Sequence, residues 1–177
     1  PGELARVAEF IKEKGMACSV YGAQFLLEAL YICDAGREAL ALMTDTESDR
    51  SWPHMMYDVG STVTLEAWDR KYKDNLDWNH AWGAAPGNII PRRLMGVRPL
   101  EPGFRKLEVA PKPGGLRRAS LDLPTIRGTV HVSFHNPPDA QFTLHVTIPA
   151  NTEARVCLPE GGRLCEPMPA GHHVFRG

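Results

Sequence analysis

The apolar residues of this chain change their repeat near residue 98, and that change decides what each half can become. Before it they recur every three to four positions, and after it they alternate. A side chain returns to the same face of a helix every 3.6 residues and to the same face of a strand every two. The first half therefore reads as helices and the second as short strands. Pro99, Pro102 and Gly103 interrupt any helix at the switch. The chain is expected to be α + β in two parts, with helices over residues 1–97 and an antiparallel β-sandwich over residues 98–177.

Within the helical half, Leu4, Val7, Ala8 and Ile11 repeat on one face opposite Glu3, Arg6, Glu9 and Lys12, and Gly15 is a natural stop. The next segment carries Tyr21, Phe25, Leu26, Leu27, Leu30, Tyr31 and Ile32, which cover most of a helix circumference. It is expected to be buried nearly all round. A third segment returns to one-sided patterning through Ala39, Leu40 and Met43. An outer, inner, outer alternation suits a double-layered helical barrel, which so few helices cannot close. This half is expected to be part of something longer, to expose apolar helix faces, and to self-associate through them.

In the second half Val130, Val132 and Phe134 face one way, with His131, Ser133 and His135 opposite. Phe142, Leu144, Val146 and Ile148 repeat the pattern against Thr143, His145 and Thr147. Pro and Gly clusters at regular intervals complete the signature of a sandwich. Of the four cysteines, Cys18 and Cys33 would lie roughly 22 Å apart along one helix, too far to bridge. Cys157 and Cys165 flank a hairpin turn that could bring them opposite one another, yet both are expected to stay free, half-buried thiols. A formal net charge of -1 gives no footprint for nucleic acid or an anionic membrane, and no apolar run is long enough to span a bilayer. The outward-facing histidines lack a firm ligand spacing, so neither a metal nor a cofactor is expected.

Chemistry is concentrated in residues 61–86, where Glu66 and His80 stand among tryptophans. Glu66 lacks the Ser or Thr three residues earlier that a capping box requires, since that position is Val63. It can be a plain surface glutamate, or a partly desolvated carboxylate whose raised proton affinity suits a general base. His80, between Trp78 and Trp82, can be a packing residue or a hydrogen-bond partner for a sugar hydroxyl beside a stacking ring. Of the four tryptophans, one or two are expected to touch a ligand. The run "WGAAPGN" supplies small residues through which backbones can approach closely.

The segments "GMACSVYGAQFLLEALYICDAG", "RSWPHMM", "GSTVTLEAWD" and "NHAWGAAPGNIIPRRLMGVRPLEPGFRKLEVAP" occur in the order seen in bacterial α-L-rhamnosidases of glycoside hydrolase family 78. The resemblance runs along the whole chain and is strongest over residues 51–111. It implies that residues 1–97 are the C-terminal helices of an (α/α)6 barrel, followed by the sandwich. It further implies an inverting hydrolase that releases terminal L-rhamnose from glycosides. Glu66 in "TVTLEAW" falls on the family's general base, with Leu65 where an aromatic is frequent. His80 in "NHAW" falls on a sugar-binding histidine, and Trp52 in "SWPHMM" on an aromatic position near the pocket. The general acid would come from upstream, so the chain is expected to be inactive alone and to need the missing N-terminal part of the same polypeptide. A non-catalytic carbohydrate-binding module, or an inverting glycosidase of the same barrel class with another sugar, are the alternative readings.

Overall fold

The computed structural model describes residues 2–159 and 165–177 and divides into two compact units, one up to Ile89 and one from Ile90 onward. In the first unit α1 runs Glu3–Lys14, α2 Val20–Ile32, α3 Gly36–Met43, α4 Trp52–Tyr57 and α5 Ala85–Ile89. Glu3 sits in the first turn of α1 and Lys12 and Lys14 in its last, as the helix dipole favours. Gly15, with φ 63°, ends the helix by donating its N–H to the Ile11 carbonyl. Ser19 caps α2 by accepting the Gly22 N–H, and Ser51 caps α4 by accepting that of His54.

The α2 helix is the hub of this unit, packing against α1, α3 and α5. Val20, Ala23, Leu27, Leu30 and Tyr31 are buried, and each fully buried Leu adds about 1.5–3 kcal/mol. The expectation that α2 is enclosed on all sides does not hold. Tyr21, Phe25 and Ile32 are 53%, 61% and 54% exposed, because the helices packed on α2 cover only one side of it. On α1, Ile11 is buried whereas Leu4, Val7 and Phe10 are exposed.

Residues 58–80 also depart from the helical expectation, since they form turns and bends without a helix or strand. Their sequence has no apolar period, and local side-chain bonds replace the helical ladder. The Asp69 carboxylate accepts the Lys71 N–H, for example, and that of Asp74 accepts the Asn75 N–H.

The second unit opens with a π-helical turn, Ile90–Leu94, and contains two four-stranded sheets. One has the order β1(Val97–Pro99), β2(Lys106–Val109), β6(Glu153–Cys157), β7(Cys165–Met168). The other has the order β3(Arg118–Thr125), β4(Gly128–His135), β5(Thr143–Ile148), β8(Gly171–Arg176). The second sheet is antiparallel throughout. The first contains one parallel pair, β2 with β6, which an antiparallel sandwich does not include. The intervening β3–β5 provide the long crossover that a parallel pair needs. Val130, Val132, Phe134, Leu144, Val146 and Ile148 are buried as their alternation requires. Gly96, at φ 74°, lets two backbones meet, since a Cβ there would lie 2.1 Å from the Ala110 carbonyl oxygen.

Two cross-strand features hold the first sheet. Arg98, Glu108 and Arg155 are in register on β1, β2 and β6, and each arginine donates to one oxygen of Glu108. Burial pushes the Glu108 pKa up, but the bonds from Arg98 and Arg155 outweigh it and hold the carboxyl below its ordinary value. Cys157 and Cys165 are also in register, with Cα atoms 4.2 Å apart, and form a disulfide rather than the free thiols expected. Strand pairing brings the sulfurs together, which residue counting alone could not establish. Cys18 and Cys33 are free.

Candidate active site

Two stretches of irregular chain are clipped side by side in the helical unit. The Glu66 N–H donates to the Asp77 carbonyl (3.1 Å), the His80 N–H to that of Thr64 (2.8 Å), and the Thr64 hydroxyl to that of His80 (2.8 Å). Residues 67–76 thus form a loop closed at its base. Gly83 passes so close that an added Cβ would lie 2.6 Å from the Leu65 carbonyl oxygen. Small residues in "WGAAPGN" are needed there for the reason the sequence suggests. Leu65, in the position where the resemblance anticipates an aromatic, is fully buried.

Three tryptophans fix this arrangement to the helices. The Trp52 indole N–H donates to the Gly83 carbonyl (2.7 Å), and that of Trp68 to the Cys18 carbonyl at the start of α2 (2.7 Å). The Trp52 and Trp68 rings meet edge to face at 5.0 Å. Trp82 lies 5.2 Å from the Tyr21 ring on α2, and the His80 ring packs against Trp82 at 4.1 Å. Between these groups is an open cleft of about 600 Å³ whose wall includes Tyr21, Arg50, Glu66, Trp68, Lys73 and Trp82.

Glu66 stands in that wall with its side chain 17% exposed. Lys73 Nζ lies 2.8 Å from its Oε2, and the Asp77 N–H donates to the same oxygen at 3.0 Å. Among the described residues nothing hydrogen-bonds Oε1. The bond from Lys73, followed by that from the Asp77 N–H, lowers the Glu66 pKa, and nearby His80 adds to the effect. The raised proton affinity that the desolvated-carboxylate reading gives this group is therefore reversed. Partial burial would raise it, but an ammonium at contact distance dominates.

The other expected residues sit around Glu66 in different ways. His80 is in its electrostatic reach and supports Trp82, but does not itself line the cleft; its Nδ1 is 3.7 Å from Asp77 Oδ2. Trp52 is buried behind Gly83 and also does not line the cleft. Trp68 and Trp82 do.

The rim of the loop is a charged lattice. Tyr72 donates to Asp49 (2.8 Å), Lys71 pairs with Asp49, and the Arg50 guanidinium lies 4.8 Å from the Tyr72 ring centre. At the base, His54 bridges Asp58 (2.9 Å) and Asp69 (2.8 Å). Burial depresses the His54 pKa, but Asp69 and Asp58 more than compensate and leave it raised. Sequence reasoning did not single out Lys73, Tyr72 or Tyr21 as wall residues. Lys73 sits in "DRKYKD", which reads as a solvated charge run, so no spacing signals its return to Glu66. No group of three His, Cys, Asp or Glu able to hold a metal occurs among the described residues.

Residues 3–94 match the family model described as the bacterial alpha-L-rhamnosidase 6 hairpin glycosidase domain, and residues 96–172 that of the bacterial alpha-L-rhamnosidase C-terminal domain. The chain belongs to the bacterial α-L-rhamnosidase family. It is 28% identical over 120 residues to an alpha-L-rhamnosidase of Streptomyces avermitilis, covering 62% of this chain and 12% of that protein. It is 30% identical over 122 residues to one of Formosa agariphila, covering 63% and 13%. The matched region is thus a small part of these rhamnosidases. Among solved structures, the Aspergillus terreus α-L-rhamnosidase gives a TM-score of 0.85 at 23% identity, over 98% of this chain and 21% of that one. The Streptomyces avermitilis enzyme complexed with L-rhamnose gives 0.81 at 23%, over 98% and 19%. At that identity these two likenesses speak to fold.

Proposed function

We propose that this chain is the C-terminal part of an inverting α-L-rhamnosidase, carrying the last helices of an (α/α)6 barrel, the β-sandwich that follows, and the general base Glu66. The observation that supports it best is an ionised carboxylate in the wall of an aromatic cleft, gripped at Oε2, with Oε1 unengaged among the described residues. Inversion requires a base that activates water on one face of the sugar and an acid that protonates the leaving oxygen on the other, with carboxyls about 6.5–9.5 Å apart. Glu66 takes the water's proton. The acid is supplied by helices of the rest of the polypeptide, so the chain alone does not turn over substrate.

The exposed ring of Trp82 suits the apolar face of a deoxyhexose, whereas Trp68, 2% exposed, backs the cleft wall. His80, which stands outside the cleft wall, contributes by holding the Trp82 ring in place. Trp52 contributes by fixing the Gly83 carbonyl and, through it, the path of residues 80–83. The bare faces of α1 and α2 at Leu4, Val7, Phe10, Tyr21, Phe25 and Ile32 suit burial against the remaining barrel helices, and in their absence favour self-association. The substrate is a glycoside ending in α-L-rhamnose, as the names of the relatives indicate.

The test is Glu66→Gln in the full-length enzyme, with an aryl α-L-rhamnoside as substrate. Loss of turnover with an unchanged fold supports the base assignment, and near-normal turnover removes Glu66 from the mechanism. Calorimetry with L-rhamnose separates this reading from a binding module. Binding by residues 98–177 without Glu66 and His80 would favour the module.

A further inference from the structure

We infer that Lys73 is a positioning residue for hydrolysis, holding Oε2 of Glu66 so that Oε1 is the atom that accepts the proton from water. The inference rests on the general-base reading of Glu66 and adds to it the oxygen used and the group that selects it.

A carboxylate acting as a base must keep one oxygen fixed and leave the other for the attacking water. In a flexible loop both oxygens would ordinarily rotate among several partners. Here the Lys73 ammonium and the Asp77 N–H converge on the same oxygen, at 2.8 Å and 3.0 Å. Two charge-assisted bonds to one atom remove rotation about the carboxyl axis as a free choice. Asp77 can do this because its backbone also accepts the Glu66 N–H, so the second donor is fixed relative to the first residue's own main chain. Lys73 reaches back from the loop that the 64–66 and 77–80 clip closes. The loop's length and its charged sequence thereby acquire a purpose beyond solvation.

The reaction then balances as follows. The water O–H bond breaks and its proton passes to Oε1. The water oxygen bonds to the anomeric carbon, and the glycosidic C–O bond breaks with its electron pair going to the leaving oxygen. A proton from the acid elsewhere in the polypeptide neutralises that oxygen. Oε2 stays bound to Lys73 throughout. The ammonium keeps the carboxyl ionised as pH falls, at the cost of a weaker base. The other charged or titratable groups near Glu66 are His80, which adds a smaller positive influence, and Cys18, Tyr21, Arg50 and Tyr72 in the cleft wall. The Asp77 carboxylate is turned toward His80, at 3.7 Å.

Lys73 is 39% exposed on its side chain, so Lys73→Met should fold, and Lys73→Gln provides a second variant without the charge. In the full-length enzyme, Lys73→Met should lower kcat/KM by about 10- to 100-fold through loss of orientation. It should also move the acid limb of the kcat/KM profile to higher pH, because Glu66 would then protonate more readily. Lys73→Arg should restore most of the rate and the acid limb. In a Glu66→Gln background Lys73→Met should cost little more, since the two act as one unit. A Lys73→Met or Lys73→Gln enzyme with a wild-type acid limb, beside an inactive Glu66→Gln enzyme, would overturn the role of Lys73 and leave the base intact. An active Glu66→Gln enzyme would overturn the base itself. Carbon NMR titration of the Glu66 carboxyl in the 177-residue chain gives the matching readout without turnover. Its midpoint should rise in Lys73→Met, and an unmoved midpoint would overturn the inference.

Discussion

Replacing Gly83 with alanine would push a methyl group into the backbone that carries Glu66. The added Cβ would lie 2.6 Å from the Leu65 carbonyl oxygen and 3.0 Å from Thr64 Cβ. Reaching ordinary contact means parting the two backbones by about 0.8 Å, and neither is a flexible side chain that could swing aside. The change has an opposing term, because Gly→Ala stiffens the unfolded chain and by itself stabilises by about 0.4–1 kcal/mol. Overpacking a tight site costs about 1–3 kcal/mol, and the displacement would also stretch the 2.7 Å bond from Trp52 to the Gly83 carbonyl. The clash should therefore win, with a net loss of roughly 1–2 kcal/mol. For a unit of this size each kcal/mol lowers Tm by about 4–8 °C. All four tryptophans lie in the helical unit, so thermal unfolding followed by indole fluorescence reads that unit alone. A Tm equal to or above that of the parent chain would refute the close approach, and with it the account of how Glu66 is placed.

His54 gives a pH signature. Its folded pKa is raised, so its bridge to Asp58 and Asp69 stabilises fully below the unfolded value of about 6.5 and is lost as pH rises through the folded value. His54→Gln should thus lower the Tm of the helical unit at pH 5.5 more than at pH 9, and an equal effect at both would contradict this. Glu108 behaves oppositely. Its depressed pKa makes its contribution present above the unfolded value of about 4.3 and lost as pH falls through the folded one. Calorimetric acid titration of Glu108→Gln should show a smaller loss of stability on acidification than the parent chain, and an identical loss would remove Glu108 from the acid response. Reducing the Cys157–Cys165 bond, which spans eight residues, should destabilise the sheet unit by about 2–3 kcal/mol on a chain-entropy basis. Denaturant curves with and without reductant check this, and superimposed curves would argue against pairing in solution. Tyr21→Ser with Phe25→Ser should weaken self-association of the isolated chain in sedimentation experiments, while a monomeric parent chain would show that the bare α2 face is not adhesive.

The sequence disclosed structure wherever a repeat recorded burial. Val130, Val132 and Phe134 announce their face by alternation, and Gly15 marks the end of α1 because few other residues adopt its backbone angles. The pattern on α2 was legible as apolar but not as exposed. Composition reports what Tyr21 and Phe25 prefer, whereas exposure depends on which neighbours are present. The parallel pairing of β2 with β6 and the meeting of Cys157 with Cys165 are matters of register between strands, and no local residue specifies them. At the site, the need for a small residue at Gly83 was readable, and the stretch holding Glu66 and His80 folds so that their backbones lie side by side. The direction of the Glu66 pKa was not. Its apolar neighbours in sequence suggested desolvation, while the residue that controls it, Lys73, arrives from across a loop whose folding is set by side-chain and backbone hydrogen bonds.

The most direct measurement of the central claim is kcat for Glu66→Gln in the full-length enzyme on an aryl α-L-rhamnoside, with circular dichroism confirming an unchanged fold. Loss of a general base that activates water should reduce kcat by about 10²- to 10⁴-fold. A kcat within a few-fold of the parent enzyme would show that the proton leaves water by another route.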